Sequence, residues 1–103
     1  MKEGSTLFVR IDYKNYKNGE SEVTEQVAIA SAQYLKKLSE ERYLTAGVFG
    51  DMTTEEIDGA MVIFEAENLA EAKAISDADP VFQGGLYHYE IKQWHVMVTA
   101  IEQ

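Results

Sequence analysis

GAMVIFEAENLAEAKAISDADP, residues 59–80, carries a strand, a capped helix and a helix stop in one run. In GAMVIFEA, Ala60, Val62 and Phe64 point to one side and Met61 and Ile63 to the other, as successive residues of a strand do. Asn68 followed by Glu71 has the spacing of a capping box with an asparagine cap. Behind it Leu69, Ala72 and Ile75 share one helical face. Pro80, the sole proline, biases Asp79 away from helical geometry and so ends the helix.

Outward from this stretch the pattern repeats. TLFVRID, 6–12, reads as a first strand and YKNYKNGES, 13–21, as a polar loop. From about Glu22 to Arg42 no glycine or proline interrupts a helical recurrence of Val27, Ser31, Tyr34, Leu35 and Leu38. YLTAGVFG, 43–50, returns to strand composition. DMTTEEIDG, 51–59, reads as a connection with one helical turn, because Thr53 and Glu56 repeat the capping spacing. LYHYEIKQWHVMV, 86–98, makes a last strand, bent midway. The order β-α-β-β-α-β predicts an α+β, ferredoxin-like fold: a four-stranded antiparallel sheet with two helices on one face, in a single domain spanning 1–103.

Two helices cover one face of such a sheet, yet both faces look apolar: Leu7, Val9 and Ile11 oppose Phe8 just as Met61 and Ile63 oppose Val62. The open faces of two subunits are therefore expected to meet, giving a homodimer of the α+β barrel kind; the alternative is a monomer with an apolar patch.

Composition narrows the partners. The net charge is −9, and residues 51–79 hold nine acids against Lys73 alone. A surface this acidic repels phosphate backbones, which argues against nucleic acid and anionic membranes. No stretch approaches the roughly 20 apolar residues needed to cross a bilayer, so a soluble, unprocessed chain is expected. Cysteine is absent, which excludes disulfides, thiolate metal sites and cysteine nucleophiles and is compatible with a reducing cytoplasm.

From Tyr34 to Trp94 the chain resembles the YCII-related family. YLKKLSEERYLTAG, 34–47, looks like that family's helix-to-strand segment, and ISDADPVFQGGLY, 75–87, looks like its most characteristic stretch. The resemblance implies a small dimeric α+β barrel and a cavity between sheet and helices served by a His–Asp pair. The aspartate of that pair corresponds to Asp79. Its histidine would lie on the first helix, where ungapped alignment on Thr45-Ala46-Gly47 puts Ala30, and no histidine precedes His88.

Asp79 is the leading candidate by its own chemistry as well. Carboxylates at a helix C-terminus are opposed by the macrodipole, and Asp77 and Asp79 both stand there. If Asp79 turns inward, burial and nearby helix carbonyls raise its pKa toward a range useful for proton transfer; the local alternative is that it satisfies backbone amides before Pro80. Asp77 is expected to face solvent. His88 is the candidate to replace the missing imidazole, although with Glu90 it sits opposite Tyr87, Tyr89 and Ile91. Two ligands of an H-x-E pair make a weak metal signal, so no metal or cofactor is expected. His95, beside Trp94, reads as an interface residue.

Arg10 shares a strand face with Phe8 and Asp12, where a cation would receive an anionic ligand such as a carboxylate or pair with a partner subunit's acid. Tyr34 is expected to line the cavity or to belong to the core. Gly84 and Gly85 supply positive φ or close approach, and Gly85 is taken as substrate-binding. Three readings stay open: a cofactor-independent lyase or isomerase using Asp79 on a small, partly apolar organic molecule; a non-catalytic binding or sensing module; and a cofactor-free monooxygenase.

Overall fold

Alternation in TLFVRIDYK places Phe8, Arg10 and Asp12 on one side of the first strand, and all three are buried. The computed structural model describes residues 6–15, 25–50, 53 and 57–98. Its elements are β1 (Thr6–Lys14), α1 (Glu25–Ser39), β2 (Leu44–Gly50), β3 (Ile57–Ala66), α2 (Leu69–Asp77), a 3-10 turn at Pro80–Phe82 and β4 (Tyr87–Trp94). The strands form one sheet in the order β2-β3-β1-β4, with every neighbouring pair antiparallel. This is the ferredoxin-like arrangement that the element order implies.

The core lies on the face shared by Phe8, Val62, Phe64 and Ala66, with Ala72 of α2 buried against them. Leu35 of α1 and Ile75 of α2 pack on the same cluster, so both helices cover one face. The Phe8 and Phe64 rings sit side by side across the β1–β3 pair, their centroids 6.4 Å apart. Removing either ring would cost about 3–5 kcal/mol as lost transfer energy and residual cavity. On the other face Val9, Ile11, Met61 and Ile63 are only half-buried.

The Asn68 side chain accepts from the Glu71 amide at 2.9 Å, which is the cap that the asparagine and glutamate spacing predicts. The α2 helix ends at Asp77, three residues before Pro80. Elsewhere the boundaries differ from the sequence pattern. Described residues place α1 between Glu25 and Ser39 rather than 22–42, because Glu40, Glu41 and Arg42 curl into a turn bonded to Lys37 and Leu38 carbonyls. β4 stops at Trp94, and 95–98 have no regular structure, where a strand to 98 was expected. The helical turn expected within 51–59 lies largely outside the described residues, and β3 already runs from Ile57.

Gly59 shows why a glycine opens the third strand's core segment. Its φ is +149°, and a Cβ there would stand 2.7 Å from the backbone oxygen of Asp12. Only a hydrogen side chain lets β3 approach β1 this closely beside Asp12.

Candidate functional site

Residues two apart on a strand share a face, so Arg10 and Asp12 meet without any help from the rest of the fold. The guanidinium clasps the carboxylate as a fork: Nε donates to Oδ1 and Nη2 to Oδ2, each at 2.8 Å. The same Nη2 also donates to Asp79 Oδ2 at 3.0 Å, across 69 residues of chain. Asp79 reaches this point because α2 stops at Asp77 and Pro80 starts a 3-10 turn, leaving Asp79 extended between them (φ −68°, ψ 126°).

Burial makes this cluster expensive and therefore informative. Arg10 is 1% exposed, Asp12 3% and Asp79 0%. One cation serves two carboxylates, so the ionised trio carries a net negative charge away from water, which buried groups tolerate only when paired and hydrogen-bonded. The Phe82 ring lies over the guanidinium, 4.7 Å from centroid to Cζ, and adds a cation–π contact. Burial pushes the Asp12 carboxyl above the usual aspartate range; the Arg10 bond and charge pull it down without cancelling this, and the charge of Asp79 pushes it further up.

Asp79 performs both tasks weighed for it. Its Oδ1 accepts from the Val81 amide at 3.0 Å, capping the 3-10 turn, while Oδ2 faces Arg10. Each oxygen has a single partner among the described residues and keeps a lone pair for another donor. Arg10 pairs within its own chain, with Asp12 and Asp79, which is neither of the arrangements expected for it.

Tyr34 sits at the edge of the cluster. Its hydroxyl donates to the Ile75 carbonyl at 2.8 Å, tying α1 to α2, and its pKa is raised by burial first and by the charge of Asp79 second. Tyr89, opposite Asp12 on β4, packs edge-on against Phe82 and donates to Asp77 Oδ1 at 2.7 Å. Burial, then the bond to Asp77, pushes its phenol up to about 12. Asp77 is exposed, as expected, yet it is held by this bond.

The sheet separates the remaining candidates from Asp79. His88 is exposed on the opposite face, stacked on Tyr13 and bonded through Nδ1 to Asn15 Oδ1, so it is not brought to the carboxylate cluster. Period-two alternation already puts it opposite Tyr89, which was the signal against it. Gly85 is exposed with φ +74°, and its carbonyl accepts from the Asn15 amide group at 2.9 Å; it closes a loop rather than facing Asp79. His95 is exposed as well, and among the described residues no group of three or more His, Asp or Glu side chains is placed to hold a metal. Two contributors went unassigned in the sequence reading. Asp12 was visible as the i+2 neighbour of Arg10, whereas Phe82 carries no local signal because a 3-10 turn brings it over β1.

The profile of the YCII-related domain matches residues 6–95. The chain belongs to the YCII-related domain family. No curated protein matches it. Among solved structures it is similar to 5-chloro-2-hydroxyhydroquinone dehydrochlorinase from Burkholderia phenoliruptrix AC1100, determined with 2,5-dihydroxybenzoquinone. The two share 22% identity over 86% of this chain and 93% of that one, with a TM-score of 0.70, which demonstrates a common fold. Within this YCII-related domain Ala30, the position aligned with a helical histidine, is a half-buried residue of α1, and neither imidazole among the described residues bonds to Asp79.

Proposed function

We propose that this YCII-related protein binds a small, partly apolar organic molecule beside Asp79 and that Asp79 handles a proton in a cofactor-independent reaction of the lyase or isomerase kind. The observation that carries the reading is a fully buried carboxylate with a spare lone pair on each oxygen, held on a shared guanidinium beneath an aromatic ring. A structural carboxylate is more cheaply kept at the surface. Arg10 orients Asp79, Phe82 and Tyr34 supply apolar and phenolic surface, and Asp79 accepts the proton. His88 and Gly85 take no part, since the fold places them elsewhere. The similar dehydrochlorinase carries hydroquinone and benzoquinone compounds in its description, which puts hydroxylated six-membered rings first among compounds to try.

The reading includes a homodimer formed through the sheet face that the helices leave open. Val9, Ile11, Met61 and Ile63 stand on that face, and Trp94, Val96, Met97 and Val98 follow it as exposed apolar residues. The negative charge keeps nucleic acid and anionic membranes off the list of partners, no helix among the described residues is long and apolar enough to cross a membrane, and a cytoplasmic location fits a chain without cysteine.

A second reading is a non-catalytic binding module, favoured by the Val81 amide on Asp79 Oδ1, which gives the carboxylate a structural task. Incubation of hydroxylated aromatic and quinone compounds with the protein in deuterated water separates the two. Proton handling predicts deuterium incorporation or product formation with the wild type and none with Asp79→Asn. Equal rates in both proteins would remove Asp79 from the chemistry.

A further inference from the structure

The trio on Arg10 holds two carboxyl groups, and sequence reading assigned a role to one. They differ in attachment. Asp79 divides its oxygens between a backbone amide and the guanidinium, and so is fixed at both ends to separate elements. Asp12 places both oxygens on Arg10 alone, with 3% exposure and the Gly59 backbone against its own main-chain oxygen. Both carboxylates touch one nitrogen, Nη2, so neither ionises without feeling the other.

We propose that Asp12 is the second proton-handling group of this site, and that the charge of Asp79 across Arg10 sets its basicity. This deepens the reading of Asp79 and rests on it for the identity of the reacting molecule. A carboxylate whose basicity is raised by burial is a better base at a working pH than one in water. In the step assigned to it, an X–H bond of the ligand breaks, the electron pair stays on X, and the proton bonds to an Asp12 oxygen. The proton then returns to another ligand atom in an isomerisation, or passes to water in an elimination. Arg10 stays protonated throughout and offsets the charge that moves.

The groups facing Asp12 favour this assignment. On its own strand face stand Arg10 and Lys14, and β4 presents Tyr89 directly opposite and Tyr87 beyond it. On β3 its partner is Ala60, which carries no charge. The α2 end contributes Asp79, and α1 contributes Tyr34, whose ionisation is opposed by that same charge. Arg10 is thus the sole cation bonded to Asp12, and it is shared. Burial, the leading cause, raises Asp12 despite Arg10.

A carbon-detected carboxyl titration of the ligand-free, full-length protein tests this. An aspartate that served Arg10 only as a structural counter-ion would titrate below the 3.9 of an isolated side chain. The proposal expects the Asp12 carboxyl midpoint about one unit above that value, and expects it to fall in Asp79→Asn as the like charge disappears. A wild-type midpoint at or below about 3.9 overturns the proposal, and so does a midpoint that Asp79→Asn leaves in place. Should Asp79→Asn not fold, the wild-type midpoint decides alone. Because no ligand enters the measurement, its failure is separate from any failure of the deuterium experiment on Asp79.

Discussion

Replacing Arg10 by methionine keeps the length and apolar stem of the side chain and removes the one charge that Asp12 and Asp79 share. Both carboxylates would then remain at 3% and 0% exposure without a cation. Leaving a buried charge uncompensated costs about 3–5 kcal/mol, and loss of the contact with Phe82 adds a smaller amount. Asp79→Asn is milder. The amide oxygen still accepts from Val81, Arg10 keeps its two-pronged bond to Asp12, and the repulsion between the carboxylates disappears. The cost reduces to one charge-assisted bond and an ill-fitting amide group, about 1–3 kcal/mol. At about 4–8 °C per kcal/mol for a domain near 100 residues, both changes are visible in a melt. Urea denaturation at pH 7 followed by circular dichroism should therefore rank Arg10→Met as the more damaging by about 2 kcal/mol. Acid supplies a second reading. In Arg10→Met the two folded-state carboxyl pKa values lie above their unfolded values, so the stability contribution of these groups is complete below about pH 4 and is lost as pH rises through the folded values. The deficit of the variant should shrink on acidification. An Asp79→Asn protein less stable than Arg10→Met, or a deficit independent of pH, would refute the shared-cation account.

Gly59→Ala should destabilise the protein by at least about 1 kcal/mol, since it combines an unfavourable positive φ with a 2.7 Å approach to the Asp12 oxygen; a melt unchanged from wild type would show that β3 can move aside. The Tyr89 phenol, raised to about 12, contributes stability that is complete below the ordinary tyrosine value near 10 and is lost as pH rises through about 12. In Asp77→Asn its midpoint should fall, measured by NMR of the assigned ring, and no change would remove the Asp77 bond as a cause. Ile63→Glu, on the open sheet face, should convert a dimer into a monomer by light scattering at micromolar concentration, whereas a wild type already monomeric there would end the dimer reading.

The residues with local causes were legible before any coordinates. Asn68 and Glu71 define a cap by spacing, Pro80 ends a helix by its ring, and alternation in β1 and β3 sorts buried from open positions. Boundaries were less legible where tertiary contacts decide them. Ser39 ends α1 although the apolar rhythm and the absence of glycine would carry it to Arg42, and β4 leaves the sheet after Trp94, opposite Leu7 near the start of β1. The site divides in the same way. Arg10, Asp12 and their common face follow from a period of two, but that Asp79 would complete the trio depends on how α2 lands on the sheet, a contact between residues 69 positions apart. His88 was proposed from scarcity of imidazoles, an argument about inventory, and geometry placed it across the sheet. A melting temperature was also expected to separate a catalytic Asp79 from a structural one; since Asp79 both caps a turn and pairs with Arg10, its substitution lowers stability under either reading.

The most direct test of the central claim is a titration of the isotope-labelled wild type with hydroquinone-type ligands, following backbone and ring resonances. The account predicts saturable shifts centred on Arg10, Asp12, Tyr34, Asp79 and Phe82, and their loss in Asp79→Asn. Shifts confined to Tyr13, His88 and Glu90 across the sheet would place ligand recognition on the other face and contradict it.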